Sequence, residues 1–361
     1  MLLQTRSVVA AGNSPTRVVV RPSMTTVRAP LSILDLALIG RGQSPRDALA
    51  GSVALARRAE EEGYRRVWYA EHHNMSTIAS SATSVLIAHV AAHTRSIRLG
   101  AGGIMLPNHS PLTIAEQFGT LESLHPGRID LGLGRAPGSD QNTMRALRRD
   151  PRSADTFPQD VLELQGYLRD ETRIPGVNAI PGRGTDVPLY ILGSSLFGAK
   201  LAAMLGLPYA FASHFAPQAL EQAVALYRSE FRPSEQLAEP HVIAGVNVIA
   251  ADTDEDASEQ HLRVRRARVS LFLGRERRFT DEEADAVLAS PQGRQIAEMM
   301  RYSAVGTPGA VREGLEEFRD HADADELIVV HASPTLDARL RSLELLARAW
   351  DLQPAAVGAP D

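Results

Sequence analysis

Three ionisable residues, Glu71-His72-His73, stand directly after the short apolar run Val67-Trp68-Tyr69-Ala70. A carboxylate beside two imidazoles suits proton transfer, because histidine titrates near neutral pH and a neighbouring carboxylate can fix its tautomer. Other apolar runs end in polar or bare positions too: Gly102-Gly103, Arg135, Gly193-Ser194-Ser195, His214 and His331. Paired glycines let a flat ligand lie against backbone. Ser194-Ser195 at the start of a helix offers hydroxyls and free N–H groups to an anion, and Arg135 adds a fixed charge with a forked donor set. Taken singly, each has a plainer reading as a turn, an N-cap or a salt bridge.

A fold must bring these positions together. From Leu31 onward, short apolar or β-branched runs alternate with amphipathic segments. The runs fall at 31–38, 67–70, 97–100, 129–133, 187–192, 208–212, 242–250 and 326–330, and the helical segments between them close on signals such as Gly63 and Pro126-Gly127. Eight strands alternating with helices is the count for a closed (β/α)8 TIM barrel with insertions, an α/β fold whose chemistry sits at the C-terminal ends of the strands. All the positions above then share one rim. A doubly wound open sheet fits less well. Gly40-Arg41-Gly42-Gln43-Ser44-Pro45 lacks the third glycine of the dinucleotide fingerprint, and Gly132-Leu133-Gly134-Arg135-Ala136-Pro137 carries proline in its place. The expected organisation is a flexible leader over 1–30, one barrel domain over 31–350, and a tail over 351–361. Insertions at 139–154 and 274–301 are expected to wall the substrate pocket.

Composition narrows the function. At 361 residues and 44% apolar content the chain can bury one large core, as a single barrel domain requires. The net charge of −5 argues against a nucleic-acid or anionic-lipid partner. The absence of cysteine excludes disulfides, zinc-thiolate sites and thiol nucleophiles, and suits a cytoplasmic location. No apolar run approaches the roughly 18 residues of a membrane span. A metal-dependent barrel hydrolase would want His-x-His after the first strand, and the chain has none. His89-Val90-Ala91-Ala92-His93 lacks the glutamate of a zincin helix, so no metal centre is expected. A flat ring system carrying a phosphate would use the glycine pair, the arginine and the serines together, and flavin mononucleotide (FMN) fits that description.

Several motifs then carry a resemblance. Ala70-Glu71-His72-His73-Asn74, the stretch Leu99 to His109, Ala115-Glu116-Gln117, and Gly127 to Arg135 are similar to the bacterial luciferase-like flavin monooxygenases. Ile191 to Ser195 and Phe211 to Pro217 look like the single-component-type branch of the same family. The resemblance spans about Leu31 to Trp350 and leaves out 1–30. It implies a barrel that binds reduced FMN as a co-substrate, with Gly102-Gly103 beside the isoalloxazine in a loop that often holds a non-prolyl cis peptide. It also implies phosphate contacts from Arg135 and from Gly193-Ser194-Ser195. His72 matches the catalytic base, with His73 beside it, Glu71 fixing a tautomer or a backbone group, and His214 on the substrate side. The implied reaction oxygenates a small organic substrate with O2 through a C4a-peroxyflavin, with reduced FMN delivered by a separate NAD(P)H:flavin reductase. Barrels of this family commonly form homodimers. Two departures are visible: Gly134 stands where the luciferases carry a reactive cysteine, and Leu38 where close relatives tend to carry proline. The first removes the expectation of light emission and implies a more open pocket. A deazaflavin (F420)-dependent oxidoreductase and a non-catalytic flavin-binding protein are the competing readings.

Overall fold

The structure, a computed structural model, describes residues 28–136, 141–273 and 279–354. Most of the expected leader and most of the tail lie outside these. Eight parallel strands close a barrel: β1 (Leu31–Asp35), β2 (Arg66–Tyr69), β3 (Arg98–Met105), β4 (Ile129–Gly134), β5 (Leu189–Gly193), β6 (Tyr209–Phe211), β7 (Val242–Ala250) and β9 (Glu326–His331). Each pairs with the next, and β9 returns to β1 through Leu31↔Leu327 and Ile33↔Val329. The expected (β/α)8 barrel is therefore the fold, with every expected strand present.

Helices cover the outside. α1 (Pro45–Glu61) starts on a capping box between Ser44 and Asp47, and α2 (Thr83–Ala91) follows β2. α3 (Pro111–Leu124) is capped by Ser110. α4 (Gln141–Ala146) and α5 (Phe157–Leu168) follow β4; α6 (Leu196–Leu205) and α7 (Leu220–Glu230) follow β5 and β6. α8 (Asp254–Leu273) follows β7, and the second expected insertion holds α9 (Asp281–Leu288) and α10 (Pro291–Met299). α11 (Pro308–His321) and α12 (Leu336–Trp350) complete the ring. A further strand, β8 (Ser303–Gly306), was not expected. It extends the sheet outside the barrel by pairing Ser303 to Gly306 with Asn247 to Ala250 of the long β7. Four residues ending in glycine carry little periodic signal, so only the overhang of β7 reveals it.

Strand alternation divides the core. Odd residues of β2 and β9, such as Val67, Tyr69, Leu327 and Val329, pack outward against the helices in one large apolar cluster. Even residues of these strands face inward, whereas in β7 the odd ones do. Leu34, Trp68, Ala70, Tyr190, Ala210, Ile243, Ile328 and Val330 form a separate cluster inside the barrel. Below it, at the N-terminal end, sits a polar plug. Arg66 bonds Asp130 at 2.8 Å and Glu326 at 3.0 Å, with the side chains of all three essentially inaccessible. Tyr190, Trp68 and Ser32 complete the bonding of that cluster. At the chain's edge, Arg28 pairs with Glu316 and lies over the Trp350 ring, whose Nε1–H donates to the Ala29 carbonyl. Among the described residues, no helix is long and apolar enough to cross a membrane.

Candidate active site at the barrel mouth

His72 continues the inward alternation of Arg66, Trp68 and Ala70 beyond the end of β2. Its backbone N–H is tied to the Ser80 carbonyl at 3.0 Å, while its side-chain Nδ1 is buried without a hydrogen-bond partner. Burial pushes its pKa down; the charge of Glu71 opposes that and the charge of His73 adds to it. The side chain is thus a neutral imidazole with one unused nitrogen at the mouth.

Glu71 and His73 face the other way and serve the neighbouring loop. Glu71 is buried. Its Oε1 accepts from His73 Nε2 at 2.8 Å and from His109 Nε2 at 2.9 Å, and its Oε2 accepts the Met105 N–H at 3.0 Å. Burial raises the cost of its charge, but the bonds from His109 and His73 outweigh it and hold the carboxyl below its ordinary range. In return, the bond to Glu71 lifts the His73 pKa against its own burial. His109, unassigned in the sequence reading, is a full member of this cluster; its visible signal was its place at the end of the glycine loop. The three side chains lie within 4.8 Å of one another and have the residue types of a metal site. In the arrangement present, both imidazole nitrogens already converge on one carboxylate oxygen, and the second oxygen is taken by backbone.

The glycine pair lies inside a strand rather than in a loop after it, because β3 runs on to Met105. The pairing with β4 shifts register between Ala101 and Ile104, and the Gly102–Gly103 peptide is cis. The bare backbone has steric reasons. A Cβ on Gly102 would come within 2.9 Å of the Trp68 Cβ, and one on Gly103 within 2.7 Å of the Gly132 carbonyl oxygen. Gly132 is tighter, with the Ala101 oxygen 2.2 Å from where its Cβ would be. Gly134, two residues on, is open: the nearest atom to a Cβ would be the Ile104 oxygen at 3.8 Å. The pocket edge is therefore roomy at the position noted for its missing cysteine.

Arg135 and the serines meet beside this floor. β4 and β5 pair through Gly134↔Leu192, which places Arg135 next to the Gly193-Ser194-Ser195 turn. The Arg135 guanidinium stacks 4.0 Å from the centre of the Phe197 ring in the first turn of α6. Ser195 is the N-cap residue of α6, but its side chain makes no capping bond. Its hydroxyl and the first N–H groups of the helix are available to an anion, and the exposed arginine closes that end. Bare floor, anion end and neutral His72 fit a flat phosphorylated cofactor.

His214 is buried just past β6, held by its backbone carbonyl accepting from Asn247 Nδ2 at 2.7 Å. Gly245 makes room for the ring, since a Cβ there would lie 2.5 Å from His214 Nδ1. That nitrogen also lacks a partner. Burial, then the charges of Arg268 and His72, push its pKa down to about 3. His214 and His72 are thus neighbours across the mouth. Arg268, on α8, was not singled out from sequence. His331 belongs elsewhere. It continues the outward, odd-numbered face of β9 and bonds Ser342 Oγ at 3.0 Å, with the Tyr64 hydroxyl 3.4 Å away. Its expected place on the rim is corrected: it is a core residue between β9 and α12, and strand parity was the signal that showed this. A separate cleft of about 270 Å3, lined by Gln165, Arg169, Glu235 and Gln236, opens near the start of β5, at the opposite end of the barrel.

Comparison with known proteins agrees with this architecture. A luciferase-like monooxygenase from Escherichia coli is 48% identical over 338 residues, 93% of this chain and all of the relative. An N-acetyl-S-alkylcysteine monooxygenase from Bacillus subtilis is 38% identical over 268 residues, covering 72% of this chain and 79% of its own. The crystal structure of apo-MsnO8 superposes with a TM-score of 0.83 at 37% identity, over 91% of this chain and all of the other. More distant structures share the fold alone. They include an oxygenating constituent of 3,6-diketocamphane monooxygenase in complex with FMN (TM-score 0.68, 17% identity; 91% and 99% of the two chains). An F420-dependent secondary alcohol dehydrogenase is a second (TM-score 0.65, 17% identity; 90% and 99%). The family profile described as luciferase-like monooxygenase matches residues 31–324, from β1 through α11. A barrel matched by that profile over most of its length, and 48% identical to a luciferase-like monooxygenase over 338 residues, belongs to the luciferase-like monooxygenase family of oxidoreductases.

Proposed function

We propose that this protein is a flavin-dependent monooxygenase that takes reduced FMN from a separate NAD(P)H:flavin reductase and uses O2 to oxygenate a small organic substrate. The observation that carries the reading is the placement of His72. It is a neutral imidazole with a free Nδ1 past the end of β2, beside the strand that carries the bare Gly102–Gly103 floor, and the anion end at Arg135 and Ser195 follows β4 and β5 on the same rim. Arg135, Ser194 and Ser195 would hold the phosphate, and the glycine floor would seat the ring. Bound reduced flavin supplies the activation of O2. The chain's own residues supply the rest. His72 accepts or returns a proton at Nδ1, and its lowered pKa keeps it neutral and ready at pH 7. Glu71 locks His73, His109 and the Met105 backbone, so the floor stays fixed beside the ring. Relatives support an oxygenation: a B. subtilis relative is named for monooxygenation of an N-acetyl-S-alkylcysteine, and a distant neighbour holds FMN. The second reading, an F420-dependent oxidoreductase that transfers hydride without O2, is kept because an equally distant neighbour uses that cofactor. A homodimer in the cytoplasm belongs to the same proposal.

Stopped-flow mixing of the reduced FMN–enzyme with O2, with product and H2O2 assayed, tests the reading. His72→Ala is expected to keep FMN affinity within a few-fold, to slow product formation by roughly 10²–10⁴, and to release more peroxide. Turnover with F420 alone, or full product yield from His72→Ala, overturns it.

A further inference from the structure

The helix α8, which follows β7, carries a stripe over the barrel mouth. Ala257, His261, Val264 and Arg268 follow one another at spacings of four, three and four, so they share a face of the helix. The buried members fix where that face lies. Ala257 and Val264 pack with Ile249 and Ala251 at the end of β7 and with Ala332 just past β9. One turn beyond Val264, the same face presents Arg268. It comes close enough to His214, at the end of β6, for its charge to act on that imidazole. His214 in turn feels His72. His72 past β2, His214 past β6 and Arg268 on α8 are thus successive neighbours at the mouth, close enough for the charges of the outer two to act on His214.

None of the three is paired across the mouth. Arg268 is partly buried, and among the described residues it makes no hydrogen bond or ion pair. Desolvation alone lowers its pKa, with no carboxylate acting on it. Most well-buried guanidinium groups here are matched: Arg66 by Asp130 and Glu326, and Arg339 by Asp35. An unmatched buried guanidinium is costly in the free protein, and the cost falls when an anion arrives. His72 and His214 each keep a buried Nδ1 without a hydrogen-bond partner. Glu71, the nearest acid to His72 by its effect, is fully occupied by His73, His109 and the Met105 N–H.

We propose that Arg268 is the substrate-binding arginine of this enzyme, and that the substrate carries a carboxylate seated between Arg268 and His214. This rests on the flavin-monooxygenase reading, and it names the substrate class of that site. A planar guanidinium fork matches a carboxylate with two parallel bonds, and His214, neutral at physiological pH, can add one N–H donor. The flavin phosphate has its own place at Arg135 and the α6 N-terminus, on the β4–β5 side, so Arg268 is left for a second anion. With the carboxylate held on the α8 side, the rest of the substrate extends toward His72 and the glycine floor.

The test uses two isosteric pairs, benzoate against benzamide and hexanoate against hexanamide, titrated into the FMN-loaded full-length protein. Binding is read from the flavin absorption band and by calorimetry. In the wild type the acids are expected to bind at least tenfold tighter than the amides. Arg268→Gln should abolish that preference, and Arg268→Lys should retain part of it, since it keeps the charge but loses the fork. The ratio of FMN to riboflavin affinity should be unchanged in Arg268→Gln. Equal binding of acid and amide to the wild type, no binding of either acid, or an undiminished preference in Arg268→Gln overturns the proposal. A collapsed FMN-to-riboflavin ratio in Arg268→Gln also overturns it, because the arginine would then serve the cofactor. Calorimetry on the flavin-free protein separates the two readings: acid selectivity that persists without any FMN binding supports the Arg268 site and removes the flavin.

Discussion

At the residue scale, the Glu71 cluster makes a prediction with a definite sign. His73 has its pKa raised in the fold, so its contribution is complete below the ordinary value of 6.5 and is lost as pH rises through the folded value. Glu71 has its pKa lowered, so its contribution is complete above the ordinary value of 4.5 and is lost as pH falls through the folded value. The pair therefore contributes most between about pH 4.5 and 6.5. Glu71→Gln should cost on the order of 1–3 kcal/mol in that window, because two imidazoles and the Met105 N–H lose a charged acceptor. It should also flatten the pH dependence on both sides. Urea denaturation from pH 4 to 8 checks this, and parallel curves for variant and wild type would show that the cluster stores no such energy. Arg135 is the simpler case. It is exposed, stacked on Phe197 and without an ion pair among the described residues, so Arg135→Ala should leave the melting temperature nearly unchanged. FMN affinity should fall by about tenfold to a hundredfold, the loss of one charge-assisted contact. An unchanged FMN titration would remove Arg135 from the phosphate site.

At the scale of elements, the mouth depends on how closely β3 and β4 approach. Gly132 and Gly134 lie two apart on the inward face of β4, yet their surroundings differ. A methyl on Gly132 would meet the Ala101 carbonyl oxygen at 2.2 Å and the Leu192 Cδ1 at 2.6 Å. Neither strand can yield without disturbing the Gly102–Gly103 floor, so Gly132→Ala should lower stability by about 1–3 kcal/mol and weaken FMN binding. Gly134→Ala meets nothing closer than 3.8 Å and should be tolerated on both counts. Thermal melts with FMN titrations on the two variants decide it, and equal behaviour would contradict the packing argument. The same elements explain what the sequence made legible. Strand positions were readable because buried parallel strands are continuous apolar runs, and helix starts because Ser44-Pro45 and Ser110-Pro111 signal a cap followed by a first turn. His72 and the glycine pair were readable because chemistry at a strand end breaks an apolar run. His331 also breaks one, but its odd parity on β9 turns it outward. Arg268 was not readable, because an arginine in a charged helix looks solvated until the packing of Val264 shows which face is covered. β8 escaped because its pairing depends on the overhang of a distant strand.

At the scale of the whole molecule, the barrel is closed at one end by charge and open at the other for chemistry. The inward stripe of β2 runs from Arg66 in the plug, through Trp68 and Ala70 in the apolar layer, to His72 at the mouth. The plug holds the N-terminal ends of five strands. Arg66 on β2 links Asp130 on β4 to Glu326 on β9, Arg98 on β3 reaches Asp130 at 2.6 Å, and Tyr190 on β5 accepts from Arg66 at 2.7 Å. Removing Arg66 leaves two inaccessible carboxylates short of their main partner. Breaking a buried pair from one side usually costs about 3–5 kcal/mol. Arg98 still reaches Asp130, and Arg65 lies 3.6 Å from Glu326, so the low end applies here. Arg66→Leu should therefore lower stability by about 3 kcal/mol at pH 7, seen as a reduced urea midpoint at unchanged slope. The pH dependence carries the sign. In the wild type, burial works against the Glu326 charge, but Arg66 and the other partners hold its pKa below the ordinary carboxylate value. That contribution is complete above 4.5 and disappears as pH falls through the folded value. The variant has lost the stabilised charge and gains relief when Glu326 protonates, so its deficit should shrink as the pH is lowered from 7 to 5. FMN affinity at temperatures well below the melt should be unchanged, because the plug lies at the end of the barrel opposite Arg135 and Ser195. A deficit that stays constant with pH would mean that Arg66 stabilises the barrel by packing alone. A loss of FMN affinity would mean that plug and mouth are coupled along β2.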